Sequence, residues 1–201
     1  TLDQQLRASD RGREHAVQAY LAALSFADEQ VGRLLAALEA SPRAEQTIVV
    51  LLSDHGLHLG EKTHWRKQSL WEDGTRVPLI VRAPGRGASG VCAEPVDLSA
   101  IYPTLAELAG IPVPAGADGH SLVPLLADPE VEWPHVAVTL KDGSAALRDR
   151  RYRYIRYKEG GEELYDHELD PHEWRNLAQD PAEAGTLERL RARLKAELAA
   201  W

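Results

Sequence analysis

The chain has 201 residues, 44% of them hydrophobic and 27% charged, with a formal net charge of −8. That acidic balance excludes general nucleic-acid binding, which takes a basic surface, and no apolar run approaches the ~20 residues of a membrane-spanning helix. A single cysteine, Cys92, excludes an internal disulfide, so packing has to hold the fold.

The sequence opens at Thr1 and contains no methionine. This leads to the expectation of a processed or truncated product from which any targeting segment has been lost. Residues 13–40 read as a helix, because Val17, Tyr20, Leu21, Leu24, Val31, Leu34, Leu35 and Leu38 recur at spacings of three and four. Asp28 falls on the same stripe and is expected to be buried and tied to a neighbouring backbone. Ser41-Pro42 ends the helix. Residues 47–52, "TIVVLL", form a β-branched run with no polar face, the pattern of a strand in a covered parallel sheet. A polar loop, "SDHGLHLGEKTHWRK", follows. Residues 77–81 read as a second such strand, closed by the turn "APGRGASG", which lacks the Lys-Ser/Thr and following helix of a phosphate cradle. "PVDLSAIYPTLAELAG" is a short helix with Pro103 in its first turn and Gly110 at its stop. "SLVPLLAD" is another helical segment.

After Asp128 the character changes. Residues 136–140, 144–148, 152–157 and 162–165 are short strands separated by "DG" and "EGG" turns, an antiparallel meander. A final helix starts near Pro181, with Leu187, Leu190, Leu194 and Leu198 on one face. The pattern is α/β: part of a mixed sheet flanked by helices over residues 1–128, then a small α+β subdomain, an antiparallel sheet plus C-terminal helix, over 129–201.

The chemistry concentrates in the polar loop. In open α/β sheets ligands bind beyond the carboxyl ends of strands, and Asp54 and His55 stand at that position. A carboxylate and an imidazole there suit a metal, and Gly56 lets the chain turn away. An Asp capping the next turn beside an exposed His is the plainer alternative. Lys67 could return toward a metal-bound anion and neutralise it; a solvated Lys at a helix start is the bland reading. His58 and His64 could add ligands, although zinc sites bring more Cys or a tighter His cluster.

The run "SDHGLHLGEKTHWRKQSLWEDGTRVPLIVRAPG" resembles the second half of sulfatases of the alkaline-phosphatase superfamily, and among them the iduronate-2-sulfatase-like branch. "YLAALSFADEQVGRLLAALE", "PVDLSAIYPTLAELAGI" and "RYRYIRYKEGGEELYDHELDPHEWRNLA" match in the same order. The resemblance implies that Asp54 and His55 bind a divalent cation, usually Ca2+, and that Lys67 is catalytic and contacts the sulfate and the leaving oxygen. It places His64 and Trp65 at the mouth of the substrate pocket and makes Glu72, Arg76 and the Pro78 turn architectural. The formylglycine nucleophile of the family arises from a C-x-P-x-R-type motif. Cys92, in "VCAEPV", does not fit one and reads as an ordinary thiol. The expectation is therefore a C-terminal half, inactive alone, whose partners are a sulfated small molecule or saccharide and the N-terminal half of the same enzyme, with an oligomer left open. A periplasmic or secreted setting accords with the family, and the cytoplasm is left open.

Two other functions compete. A phosphate- or phosphonate-ester hydrolase of the same superfamily shares the "DHG" frame, and a non-catalytic fragment could serve as an association module through an open sheet edge. The alternation in "RDRRYRYIRYK" is that of a strand, with Arg151, Arg153 or Arg156 offering a contact to an acidic saccharide. His167, His172 and Trp174 are expected in a loop stapling the subdomain to the final helix.

Overall fold

The computed structural model describes residues 1–9, 11–86 and 89–199. Gly87 and Ala88 of the "APGRGASG" turn lie outside them. Two units emerge, one of Thr1–Lys67 with Arg76–Gly85, the other of Gln68–Thr75 with Arg86–Trp201.

The first unit begins with a short helix, α1 (Leu2–Arg7), closed at its start by a capping box in which Thr1 accepts from the Gln4 N–H and the Gln4 side chain answers. The long helix α2 (Gly12–Glu39) follows a sharp joint. A Cβ on Gly12 would lie 2.5 Å from the Leu6 carbonyl oxygen, so the joint closes only on glycine. Strand β1 (Val49–Leu52) pairs with β4 (Leu79–Arg82), and between them in sequence lie a hairpin, β2 (His58–Leu59) with β3 (Trp65–Arg66), and the single turn α3 (Glu72–Thr75).

Two expectations fail in this unit. β1 and β4 run antiparallel, Val49 opposite Arg82 and Leu52 opposite Leu79, where a covered parallel pair was expected. An all-apolar strand does not report its direction, and the expected cover is incomplete as well, with Leu52 and Ile80 exposed. A parallel return needs a crossover, usually a full helix, and the link here supplies none. Asp28, expected to be buried, is exposed. Much of its stripe is open too: Leu21, Leu24 and Leu34 are 52%, 54% and 72% exposed, while Val17, Val31 and Leu38 are half-buried.

The second unit contains α4 (Ile101–Ala109), α5 (Val123–Ala127) and a meander of β5 (Ala137–Lys141), β6 (Ser144–Arg148), β7 (Tyr152–Arg156) and β8 (Glu162–Asp166), followed by α6 (Ala184–Ala199). Gly110 ends α4 in the left-handed region, as the sequence predicts. The Asp142-Gly143 turn has both φ angles positive, as a two-residue hairpin between twisted strands requires. The two-residue period of the strands sorts their side chains onto two faces. Ala145, Leu147, Tyr154 and Leu164 point to one face and pack against Leu187, Leu190 and Leu194 of α6. Ala146, Ile155 and Tyr165 point to the other and pack against Leu70, Trp71 and Tyr157. The sheet is thus covered on one side by the predicted helix and on the other by the segment around Leu70. Leu190 is fully buried, so Leu190→Ala is expected to destabilise the chain by about 2–5 kcal/mol. Urea unfolding with an unchanged m-value checks it.

Candidate functional site

The polar loop leaves β1 at Leu52 and is shaped by short local bonds. The Ser53 hydroxyl donates to the His55 carbonyl at 2.9 Å, and His55 Nδ1 lies 2.8 Å from the Gly56 carbonyl oxygen. A carbonyl can only accept, so Nδ1 carries the hydrogen. On the other side of the ring, Lys67 Nζ lies 3.1 Å from Nε2. An ammonium can only donate, so Nε2 carries no hydrogen and its lone pair accepts from Lys67. The Asp54 carboxylate stands 3.7 Å from the same nitrogen, its side chain 83% exposed. A carboxylate and an imidazole lone pair therefore converge on one point, with a cation already drawn to it. The donor set fits a divalent cation but fills only part of its shell, since calcium takes 6–8 oxygen ligands.

Lys67 is delivered by the β2–β3 hairpin. Gly60 turns with φ 115°, and a Cβ there would sit 2.9 Å from the Trp65 indole, so both backbone and packing demand glycine. Trp65 Nε1 donates to Asp3 Oδ1 at 3.0 Å. Asp3 is buried and also accepts from Arg7 at 2.7 Å and from Arg13. The Arg13, Trp65 and Arg7 hydrogen bonds hold its carboxyl far below the usual carboxylate range. His64 Nε2 donates to the Lys67 carbonyl at 3.2 Å, and its ring meets the fully buried His58 edge-on at 4.8 Å. The structure thus joins Asp54, His55 and Lys67 directly, sets His64 against the Lys67 backbone, and makes Trp65 the hairpin's link to α1. Sequence reasoning missed Asp3. Its signal was the Thr1…Gln4 capping box, which announces a helix start with an acid in its first turn.

In the second unit, the arginines weighed for an acidic saccharide are mostly engaged elsewhere. Arg153 is 3% exposed; its Nε lies 2.7 Å from Glu173 Oε1, and its guanidinium donates to the Leu70 carbonyl at 3.0 Å and to Glu72. Arg151 grips the buried Asp166 with two hydrogen bonds of 3.0 and 2.7 Å. Arg156 is half-buried and stands opposite Glu162 across the β7–β8 pair. Burial by itself would raise the Glu72 carboxyl, but Arg153, with His167 and Arg148 nearby, carries it below its ordinary value. His167 Nε2 lies 2.9 Å from Glu173 Oε1. His172 and Trp174 are exposed; the loop is fastened instead by Asn176 and Leu177, each bonded to the Leu164 backbone.

A family model described as Sulfatase matches residues 2–111, and one described as N-sulphoglucosamine sulphohydrolase, C-terminal, matches residues 60–200. A sulfatase of Formosa agariphila is 40% identical over 186 residues, which are 92% of this chain and 37% of the relative. The solved structure of a 2-O GAG sulfatase superposes with a TM-score of 0.83 at 31% identity, over 96% of this chain and 44% of that one. A phosphonate monoester hydrolase from Silicibacter pomeroyi superposes with a TM-score of 0.74 at 27% identity, over 85% of this chain and 38% of that one. The chain spans well under half the length of the relatives it matches. The expected fold class, an α/β arrangement of alkaline-phosphatase type with an antiparallel sheet and a C-terminal helix, is the one these neighbours share.

Proposed function

The chain belongs to the sulfatase family, and from that premise we propose that it is the C-terminal portion of an enzyme hydrolysing sulfate esters of a saccharide. The observation that carries the reading is the convergence of Lys67 Nζ, His55 Nε2 and the Asp54 carboxylate behind β1. Asp54 and His55 would hold a divalent cation, with calcium as the family's usual ion. When bound, that cation neutralises charge on the sulfate oxygens. The Gly56 carbonyl keeps the His55 ring oriented through Nδ1–H. Lys67 offers three N–H donors, so its ammonium can hold the bridging oxygen and yield a proton to the departing alcohol. His64 and Trp65 would border the sugar, Trp65 held in place by Asp3. The formylglycine nucleophile and the remaining cation ligands would come from the N-terminal half, and the chain alone is expected to be inactive.

That missing partner has further support in the first unit. Along α2, Tyr20, Leu21, Leu24, Phe26 and Leu34 are exposed, as is Ile80 on β4. Exposed large apolar side chains in this number are what a surface covered by another segment would leave behind. The isolated chain is expected to bind a hydrophobic dye and to self-associate; a well-behaved monomer in analytical ultracentrifugation would favour the autonomous module.

The full-length parent, assayed on matched aryl sulfate and aryl phosphonate monoesters, separates the leading reading from its rival. The likeness to a phosphonate monoester hydrolase is what keeps the second alive. A higher kcat/KM on the sulfate is expected, and the reverse order overturns the proposal. Chelation of the parent is expected to abolish turnover, with calcium restoring it. Asp54→Ala should weaken the cation by at least about tenfold, since even loss of a supporting partner costs about 10–100-fold. Calcium titration followed by thermal shift reads this without any substrate.

A further inference from the structure

Asp3 is engaged more heavily than the joint between α1 and α2 requires. Its side chain is 7% exposed, and it accepts from Arg7, one turn on in α1, at 2.7 Å and from Arg13 of α2. Those two pairs already clamp the joint. The third donor belongs to neither helix. It is the indole N–H of Trp65, which meets Oδ1 at 3.0 Å from 62 positions away in sequence. An ionised carboxylate is a stronger acceptor than a neutral one, and these same bonds keep Asp3 ionised.

The hairpin that carries Trp65 needs an outside hold. Its strands are two residues each, His58 opposite Arg66 and Leu59 opposite Trp65, and a two-stranded hairpin is at best marginal alone. Its backbone is also strained. Lys62, Thr63 and Arg66 take φ of 51°, 58° and 73°. Side chains with a Cβ adopt such left-handed angles at a cost, and the angles persist where surrounding contacts hold them. Two side-chain bonds are internal to the stretch: the Leu59 N–H donates to Glu61 at 2.6 Å, and His64 donates to the Lys67 carbonyl at 3.2 Å. The Trp65 bond instead reaches another element, and the same indole lies against Gly60 in the turn. Lys67 follows Trp65 by two residues, a tether of at most ~7 Å when fully extended, and the left-handed Arg66 between them shortens it further. Asp3, the hairpin, Asp54, His55 and Lys67 all belong to the first unit.

We propose that Asp3 is a positioning residue for the sulfatase reaction: by holding the Trp65 indole it fixes β3, and with it the place of the Lys67 ammonium beside His55. The proposal rests on the role given to Lys67 above. Asp3 is buried, with both carboxylate oxygens occupied, so it acts only through Trp65 and the β3 backbone. Displacing a reacting group by about 1 Å can cost a hundredfold in rate, so a released indole should register in turnover.

The test is a double-mutant cycle in the full-length enzyme, with folded fraction matched by circular dichroism. The readout is kcat/KM on a simple aryl sulfate, which offers no sugar for Trp65 to border. Asp3→Ala is expected to lower kcat/KM about ten- to a hundredfold when Lys67 is present and to cost nothing further in a Lys67→Ala background. Equal fold losses in both backgrounds would show a merely structural role and overturn the proposal, as would a lowered Tm with unchanged kcat/KM. Trp65→Phe removes the indole donor while keeping a ring against Gly60. It should reproduce the loss, and adding Asp3→Ala to it should lower kcat/KM no further; multiplying losses would overturn the route through Trp65. Should Asp3→Ala fail to fold, Trp65→Phe carries the cycle with Lys67→Ala and the same two outcomes. If Lys67→Ala alone retains full activity, the role given to Lys67 fails and the proposal falls with it. A crippled Lys67→Ala on which Asp3→Ala still takes its full toll overturns only the positioning.

Discussion

Lys67→Ala in the full-length enzyme is expected to lower kcat on an aryl sulfate by about 10²–10³-fold, the usual cost of removing one donor aimed at developing negative charge. The expectation comes from where the ammonium sits. It donates to His55 Nε2 beside the Asp54 carboxylate, so a cation that takes that lone pair frees the ammonium for an anion held at the same groups. Lys67 is exposed, so its loss should barely alter stability. Asp54 and His55 remain in the variant, and its calcium content should therefore match that of the parent. Lys67→Arg should not rescue, because a planar guanidinium places its donors differently and does not give up a proton near neutral pH. A Lys67→Ala enzyme with kcat within a factor of two of the parent sinks the assignment.

Glu173→Ala should be among the most destabilising single changes in the chain, about 3–5 kcal/mol, because it leaves the Arg153 charge buried with one of its two carboxylates gone. Removing both charges should be milder: Arg153→Met with Glu173→Leu is expected to recover much of the loss. Urea unfolding at pH 7 gives both numbers, and a double variant worse than Glu173→Ala would contradict the account. The same network predicts an acid limit. The Glu72 carboxyl lies below its ordinary value of 4.5 in the folded state. The unfolded chain therefore takes up that proton first as pH falls. Glu72 stabilises fully above about pH 4.5, the ordinary glutamate value, and its contribution is lost as pH drops through the lower folded value. Glu72→Gln should flatten that part of the stability–pH curve.

The elements that the sequence announced are those encoded by short-range pattern. The meander follows from period-two alternation with an Asp-Gly turn, and α6 from leucines at helical spacing. The polar loop behind β1 was visible as a local feature, and the candidate roles of Asp54 and His55 came from the resemblance to the family. What stayed hidden depends on partners remote in sequence. The direction of β4 against β1 is set by how the link returns. Asp28 looked internal because a stripe was taken to imply a cover, and the described residues cover only part of it. Arg153 was misread for the opposite reason. Alternation on a strand says which face a side chain takes, but nothing in the strand says that Glu72 and Glu173 wait on that face. Asp3 likewise acquires its meaning from Trp65, 62 positions later.

The fastening of segment 70–72 also sets an order of folding. The meander and α6 are built from near neighbours along the chain, and such local contacts form early. Seating Trp71 on Glu163 closes a loop of 92 residues, and loop-closure entropy must be met before that contact returns anything. The stretch beside Lys67 is therefore expected to dock late, onto a sheet already made. Pulsed hydrogen exchange should protect the amides of β6 and β7 before that of Glu72. An incompletely folded chain would then lack the second cover of the sheet before it lacks the sheet itself.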